Sequence, residues 1–374
     1  MTPRRPAGAD AIPAPKALPA DTRKPGDGAL YAALDLGTNS CRMLIARPSG
    51  GQFQVIDSFS KPVQLGLGLE ASGRLSRQSM SRTVHALQVC RRKIEQHGVR
   101  RMRLVATEAC RRARNSRDFM RMIRRETGLP VEIIAAEEEA RLAVISCAPL
   151  VNTQTEQLLV VDIGGGSTEL VWIDLRGVEP ALRSRAIMRL TDGFPDGAAG
   201  NARVVDWISV PLGVATLRDQ FADVSDDPAR FALMSWQFEQ MLEDFAPYIT
   251  GVRADDAFQI IGTSGTVTTV AASHLGLKRY DRTKVDGLSM TSVEIDRVIH
   301  NYLALGPEGR RADPRIGRER HALIMSGAAI LQTLMRVWPT SRLSVADRGL
   351  REGLLYSQMV RDGVLASDGL MGVA

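Results

Sequence analysis

Leu158-Leu-Val-Val-Asp162-Ile-Gly164-Gly165-Gly166-Ser167-Thr168-Glu169 is the stretch on which the reading of this chain turns. An apolar run ends in Asp, three glycines follow, and Ser-Thr-Glu leads into a second apolar run, Leu170-Val-Trp-Ile173. Glycine lets a backbone turn where a Cβ would clash, so consecutive N–H groups can point at one anion. A plain hairpin needs one or two glycines, and a third costs backbone entropy without need. The same design stands earlier, as Tyr31-Ala-Ala-Leu-Asp35-Leu-Gly37-Thr38-Asn39-Ser40 running into Arg42-Met-Leu-Ile45. Taken by itself, that copy reads equally as a turn, since Asp-x-Gly and Asn-Ser are ordinary turn residues. Two such loops suggest a phosphate chain gripped from both sides of a cleft between related halves, with an Asp at each strand end placed for a hydrated divalent cation.

The rest of the chain supports this frame. The first half reads as strands at 30–36, 41–46 and 53–61, a helix at 76–97, a strand at 103–107, a basic helix at 116–127, a short buried strand at 131–135 and a helix at 137–146. The second half restarts with strands at 158–163, 169–175, 182–190 and 206–210, a Gly/Pro-rich insertion near 193–200, and helices at 214–221 and 228–245. A strand at 258–261, helices at 266–274, 291–304 and 320–337, a strand at 343–346 and a last helix to about 361 complete it. Strands alternating with helices in two similar halves predict an α/β fold of two lobes, 29–148 and 149–374, the last helix packing back towards the first lobe. Residues 1–28, rich in Pro, Ala, Arg and Lys, are expected to form a disordered tail.

Composition narrows the partners. The 374 residues carry a net charge of +6, which suits a polyanion. Aromatics make up only 5 %, and none are interleaved with the basic residues as a single-stranded nucleic-acid platform would need. No apolar run reaches the ~20 residues of a membrane span. Cys41, Cys90, Cys110 and Cys147 form no metal or CxxC spacing and are expected as reduced thiols in a cytoplasmic protein. The five histidines show no HxH or HExxH spacing.

Other segments carry chemistry. Glu137-Glu-Glu139 opens a helix that crosses between the halves, so one of these carboxylates can face the cleft and activate a water. Arg111 in Thr107-Glu-Ala-Cys-Arg111 follows a strand and can clamp phosphate oxygens. The surrounding basic residues, from Arg91 to Arg125, read mostly as solvated helix faces. Gly262-Thr263-Ser264-Gly265-Thr266 is a third strand-to-helix anion site, or else a plain helix cap made by Thr263 or Ser264. Ser209-Val-Pro211-Leu-Gly213 is a weaker candidate. Neither a GxxxxGK[ST] loop nor a GxGxxG loop opening a long helix is present.

These residues resemble the exopolyphosphatase/guanosine pentaphosphate phosphohydrolase (Ppx/GppA) family of the actin-like ATPase superfamily. The resemblance runs in order through Asp35–Ser40, Thr107–Asn115, Glu138-Glu-Ala-Arg141-Leu, Asp162–Glu169, Pro211-Leu-Gly213, Gly262–Thr266 and Asp347-Arg-Gly-Leu-Arg-Glu-Gly353. It implies two ribonuclease-H/actin-like lobes around a cleft and Mg²⁺-dependent hydrolysis of polyphosphate or pppGpp in the cytoplasm. It implies Glu139 as the catalytic base, with Asp162 and Glu169 near metal and water; Asp35, at the end of the first strand, is read from its position as a further metal ligand. Gly37, Thr38, Asn39, Ser40, Arg42, Arg111, Gly164–Thr168 and Gly262–Gly265 would bind phosphate. The chain looks like the short form without a C-terminal HD-like region, and Ala322 stands where many relatives have an acid. A homodimer is compatible with the family. The rival readings are an alarmone-binding switch with weak catalysis and a kinase relative that transfers the phosphate.

Overall fold

The computed structural model describes residues 28–192, 202–250, 257–317 and 320–365. The expected tail and the 193–200 insertion lie outside the described residues, apart from Gly28.

Strands β1 (Tyr31–Leu36), β2 (Ser40–Ser49), β3 (Gln52–Pro62), β4 (Arg101–Ala106) and β5 (Val131–Ile133) form one mixed sheet in the order β3-β2-β1-β4-β5. Strands β6 (Gln157–Ile163), β7 (Thr168–Asp174), β8 (Arg203–Val210), β9 (Phe258–Thr263), β10 (Ser289–Met290) and β11 (Leu343–Ala346) form the other, in the order β10-β11-β9-β6-β7-β8. With β10 set aside, the second sheet repeats the first strand for strand. In each, three antiparallel strands are followed by two parallel ones reached through helices. These are the two ribonuclease-H/actin-like lobes that the family resemblance implies.

Local chemistry accounts for the elements. The Arg77–Gln96 helix buries Met80, Val84, Leu87, Cys90 and Ile94 on one stripe and starts at Ser76, whose hydroxyl accepts from Ser79 N at 3.1 Å. All four cysteines are buried and unbridged. Among the described residues no helix is long and apolar enough to cross a membrane.

Several expected elements differ. Residues 182–190 are helical, not a strand: a turn at Pro180–Leu182 leads into a helix at Arg183–Met188. The apolar residues Leu182, Ala186, Ile187 and Leu190 recur at helical rather than alternating spacing, and Ala186 and Ile187 are buried by it. The second lobe therefore has three initial strands, which sharpens the repeat. β5 is not a buried strand but a sheet edge with Glu132 and Ile133 exposed; the buried residue is Ile134, just beyond it. The helix expected at 228–245 ends at Gln240, and the one expected from 320 starts at Ile324. The 292–312 helix runs past its expected end through a kink at Gly306, where φ is 62° ahead of Pro307.

Two helices cross between the lobes. The Ala136–Cys147 helix belongs to the first half of the chain, yet it buries Ala140, Val144 and Ile145 with Leu158, Val160 and Val171 of the second sheet. The Leu350–Arg361 helix, from the chain's end, buries Leu354, Leu355 and Met359 with Tyr31, Ala33 and Leu44 of the first. Gln358 Nε2 donates to Ala32 O at 3.3 Å. Asp362 accepts from Tyr31 Oη at 2.8 Å and from Arg101 Nη1 at 2.7 Å. This exchange brackets the cleft.

Candidate active site

Each lobe places its glycine hairpin at the mouth of its first two strands. In the first, Asp35 opposes Arg42 across β1 and β2, and Gly37 N closes the turn on Ser40 O at 3.0 Å. In the second, Asp162 opposes Glu169 across β6 and β7, and Gly164 N closes the turn on Ser167 O at 2.9 Å. The turns are copies, but the charge is not: the first lobe sets an acid against a base, the second an acid against an acid.

Both turns are strapped from behind. Gly66 N bonds Thr38 O at 2.9 Å, and Val63 N and Gln64 N bond Asn39 O at 2.9 and 2.8 Å. Likewise Val214 N bonds Gly164 O at 3.0 Å and Ala215 N bonds Gly165 O at 2.8 Å. In a trans peptide the C=O and the following N–H point opposite ways. The N–H groups of Asn39, Ser40, Gly165 and Gly166 are thereby turned away from the straps, and all four residues line the cleft. The second strap explains the Pro211-Leu-Gly213 segment: a Cβ on Gly213 would lie 2.5 Å from Gly164 O. Its role is stronger than the sequence suggests.

The two loops meet. A Cβ on Gly165 would stand 3.2 Å from Thr38 Cβ and 3.3 Å from Asn39 N, and one on Gly166 would stand 2.5 Å from Thr38 Oγ1. Glycine is required here by the approach of the opposite lobe, not by the turn alone. The cleft beside this junction has an interior of about 200 Å³. Asp35, Gly37, Thr38, Asn39, Ser40, Arg42, Glu139, Asp162, Gly164, Gly165, Gly166, Ser167, Thr263, Ser264 and Gly265 all line it, as expected from the sequence.

Four acids crowd one side. Burial, then repulsion from Glu139 and Asp35, pushes Asp162 up to about 8. Burial and the Asp162 charge push Glu169 up to about 7, against the hydroxyls of Ser167 and Ser209, which donate to its Oε1 at 2.7 and 2.9 Å. Burial raises Asp35, with Arg42 opposing it, and burial plus the Glu169 charge raises Glu139 well above the usual carboxylate range. Of the three glutamates at 137–139, Glu139 alone faces the cleft; Glu138 pairs with Arg103 at 2.7 Å, and Glu137 is exposed. Beside Asp35, burial and the neighbouring Arg351 lower the pKa of Arg42, with Asp35 and Asp162 opposing the shift.

Four expected site residues are placed differently. Arg111 does not line the cleft as a phosphate clamp; its Nη1 donates to Glu139 Oε2 at 2.6 Å. Thr168 points away, its hydroxyl spent on Leu212 O at 2.7 Å. Gly262 lies within β9, where a Cβ would press on Val267 at 3.1 Å, so it is a packing glycine. Glu169 sits just behind the cleft lining, held by the two serines. Ser264 does cap the Gly265–His274 helix, accepting from Thr266 N and Val267 N at 3.1 and 3.3 Å. Its φ of 141° is strained for a non-glycine residue, and that strain sits at the cleft wall.

Sequence reasoning missed Glu108, Arg320 and Arg351 as cleft residues. Arg351 had a signal in the Asp347–Gly353 segment. Arg320 stands two residues before Ala322, in a segment the sequence marks by its missing acid, but its place in the cleft follows from Nη1 donating to Gly265 O at 2.9 Å across the fold.

Two repeated lobes whose amide-bearing glycine hairpins converge beside buried carboxylates define a phosphate-handling protein of the actin-like fold class. The chain belongs to the Ppx/GppA phosphatase family, whose sequence profile matches residues 44–362. It is similar to the Aquifex aeolicus Ppx/GppA family member at 28 % identity and a TM-score of 0.70, covering 89 % of this chain and 98 % of that one. An exopolyphosphatase-like protein superposes with a TM-score of 0.73 at 26 % identity, over 89 % of this chain and 99 % of the other. An exopolyphosphatase from Cytophaga hutchinsonii shares the fold with a TM-score of 0.73 at 22 % identity, over 90 % and 100 %. The family and fold support phosphohydrolase chemistry.

Proposed function

We propose that this chain releases terminal orthophosphate from inorganic polyphosphate or from pppGpp in an Mg²⁺-dependent hydrolysis. The observation that supports this best is the meeting of the two strapped loops, Thr38–Ser40 and Gly164–Gly166, beside the carboxylate cluster. Amides from both lobes would hold the oxygens of one terminal phosphate, with the hydroxyls of Thr38 and Ser40 adding donors. A donor of this kind is worth ~3 kcal/mol on a developing negative charge. Glu139 would take the proton of the attacking water; its raised proton affinity suits a general base, and Arg111 orients it.

The acids fit a cation. Four buried carboxylates with raised pKa values, of which Glu139, Asp162 and Glu169 are pushed up further by acids of the same group, are an excess of negative charge that a divalent ion relieves. Among the described residues no three acidic, His or Cys side chains converge as a ready-made cage. Mg²⁺ would need only one or two carboxylates, since it keeps waters and shares its shell with substrate phosphates. Asp35 and Asp162 would hold it, Glu169 supporting from behind. Bound there, it would neutralise charge on the transferred phosphoryl group.

The test is phosphate release from long polyphosphate, short polyphosphate, pppGpp and ATP, side by side, with Mg²⁺ and with EDTA. Mg²⁺-dependent release from polyphosphate or pppGpp, without any acceptor added, is expected and excludes a transferase. Tight pppGpp binding with no phosphate released from any substrate would replace hydrolysis by the switch reading.

A further inference from the structure

We propose that Glu108 is a positioning residue for this hydrolysis, acting on Glu139 through Arg111 and reporting the approach of the opposite lobe. The proposal rests on the reading of Glu139 as the base. Glu108 opens the Glu108–Arg112 helix behind β4 and lines the cleft. Arg111 Nε donates to Glu108 Oε2 at 3.1 Å, and Nη2 stands 2.9 Å from the same oxygen. The other edge of the guanidinium is thereby aimed at the base: Nη1 donates to Glu139 Oε2 at 2.6 Å and to Ile134 O at 3.2 Å. A guanidinium is a rigid planar fork, so fixing one edge fixes the other. On its outer side Glu108 is steadied by Arg112, whose Nε lies 3.9 Å from Oε1 and whose Nη2 is tied to Glu70 at 2.7 Å.

Glu108 also touches the second lobe. A Cβ built on Gly166 would come within 3.1 Å of Glu108 Cγ and 3.4 Å of its Cβ. The stem of Glu108 is therefore packed on the glycine hairpin while its carboxylate holds the arginine that holds the base. Where Gly166 sits decides where Glu108 sits, and through Arg111 where the Glu139 oxygen points. Without Glu108, one edge of Arg111 has no anchor, so the guanidinium is free to swing off Glu139 and the base loses its fixed direction. A carboxylate has no donor to offer phosphate oxygens, so the cost is expected on kcat rather than KM.

The experiment measures kcat and KM for phosphate release in Glu108→Ala and Glu108→Gln, each alone and combined with Arg111→Ala, in the full chain. Glu108→Ala is expected to lower kcat on the order of 10²-fold, the typical effect of a mispositioned group, with KM little changed. Glu108→Gln should recover most of that loss, because its amide oxygen still accepts from Arg111 Nε. In the Arg111→Ala background, Glu108→Ala should cost nothing more, since both act through one contact. Wild-type kcat in Glu108→Ala, an equal loss in both backgrounds, or a loss confined to KM would overturn the proposal. A crystal structure of Glu108→Ala supplies an arm independent of turnover. Arg111 should leave Glu139, and retention of the 2.6 Å contact would refute the positioning role. A wild-type chain inactive on every substrate would refute the hydrolase reading instead, and the crystal structure would still decide on Glu108.

Discussion

Glu139 and Asp162 carry opposite tests of one idea, that this cleft is built to hold charge at a cost. Glu139→Gln keeps the shape and the hydrogen bond to Arg111 but removes the basic oxygen. It should lower kcat for phosphate release by about 10²–10⁴-fold, the usual share of a general base, with an unaltered circular dichroism spectrum. Full activity would remove Glu139 from the mechanism. Asp162 is tested through stability. Its folded pKa of about 8 lies above the ordinary carboxylate value near 4. Between those pH values the folded chain binds more protons at this site than the unfolded chain, so this site's contribution to stability falls as pH rises through the window. Asp162→Asn has no such dependence. In EDTA its melting temperature should gain on wild type by several degrees between pH 5 and pH 8, the scale of a change of 1–2 kcal/mol. A difference that stays constant with pH would mean the acid is not held against its preference.

At the scale of elements, the hairpins were legible and the straps were not. Asp-x-Gly and three adjacent glycines announce a backbone that must approach an anion, and every hairpin residue from Gly37 to Ser40 and from Gly164 to Ser167 lines the cleft. The strap at 213–215 is set by hydrogen bonds of 3.0 and 2.8 Å to a chain segment about 50 residues earlier, which spacing cannot reveal. Thr168 was misjudged for a related reason: alternation along β7 turns it away from the face of Glu169. Residues 182–190 were misread because a short apolar run fits either period until its burial is known. The crossing helices carry their own prediction. A Cβ on Gly353 would stand 2.1 Å from Leu142 O, where the two exchanged helices touch. Gly353→Ala should destabilise the chain by about 1–3 kcal/mol or more, read as a lower urea midpoint. An unchanged midpoint would mean the helices separate freely.

Over the whole molecule, duplication with one change of charge organises the account. Two copies of one sheet bring two copies of one turn together, and at the matching register position, 42 against 169, one turn carries an Arg and the other a Glu; in the proposed reading that exchange adds the acid that supports the cation. A divalent ion that relieves the acid cluster should stabilise the folded chain by mass action. Adding Mg²⁺ at pH 8 should therefore raise the wild-type melting temperature, and raise that of Asp162→Asn much less; equal shifts would place the ion elsewhere. The central claim, that loops from both lobes close on a single phosphate chain, is met most directly by the steady-state rate of phosphate release from Gly165→Val. The added side chain would press on Thr38 and Asn39, which stand 3.2 and 3.3 Å from even a bare Cβ at this position. A fall in kcat/KM of at least about 10²-fold with an intact fold is the expected result, equivalent to one lost phosphate donor; turnover at the wild-type rate would contradict the account.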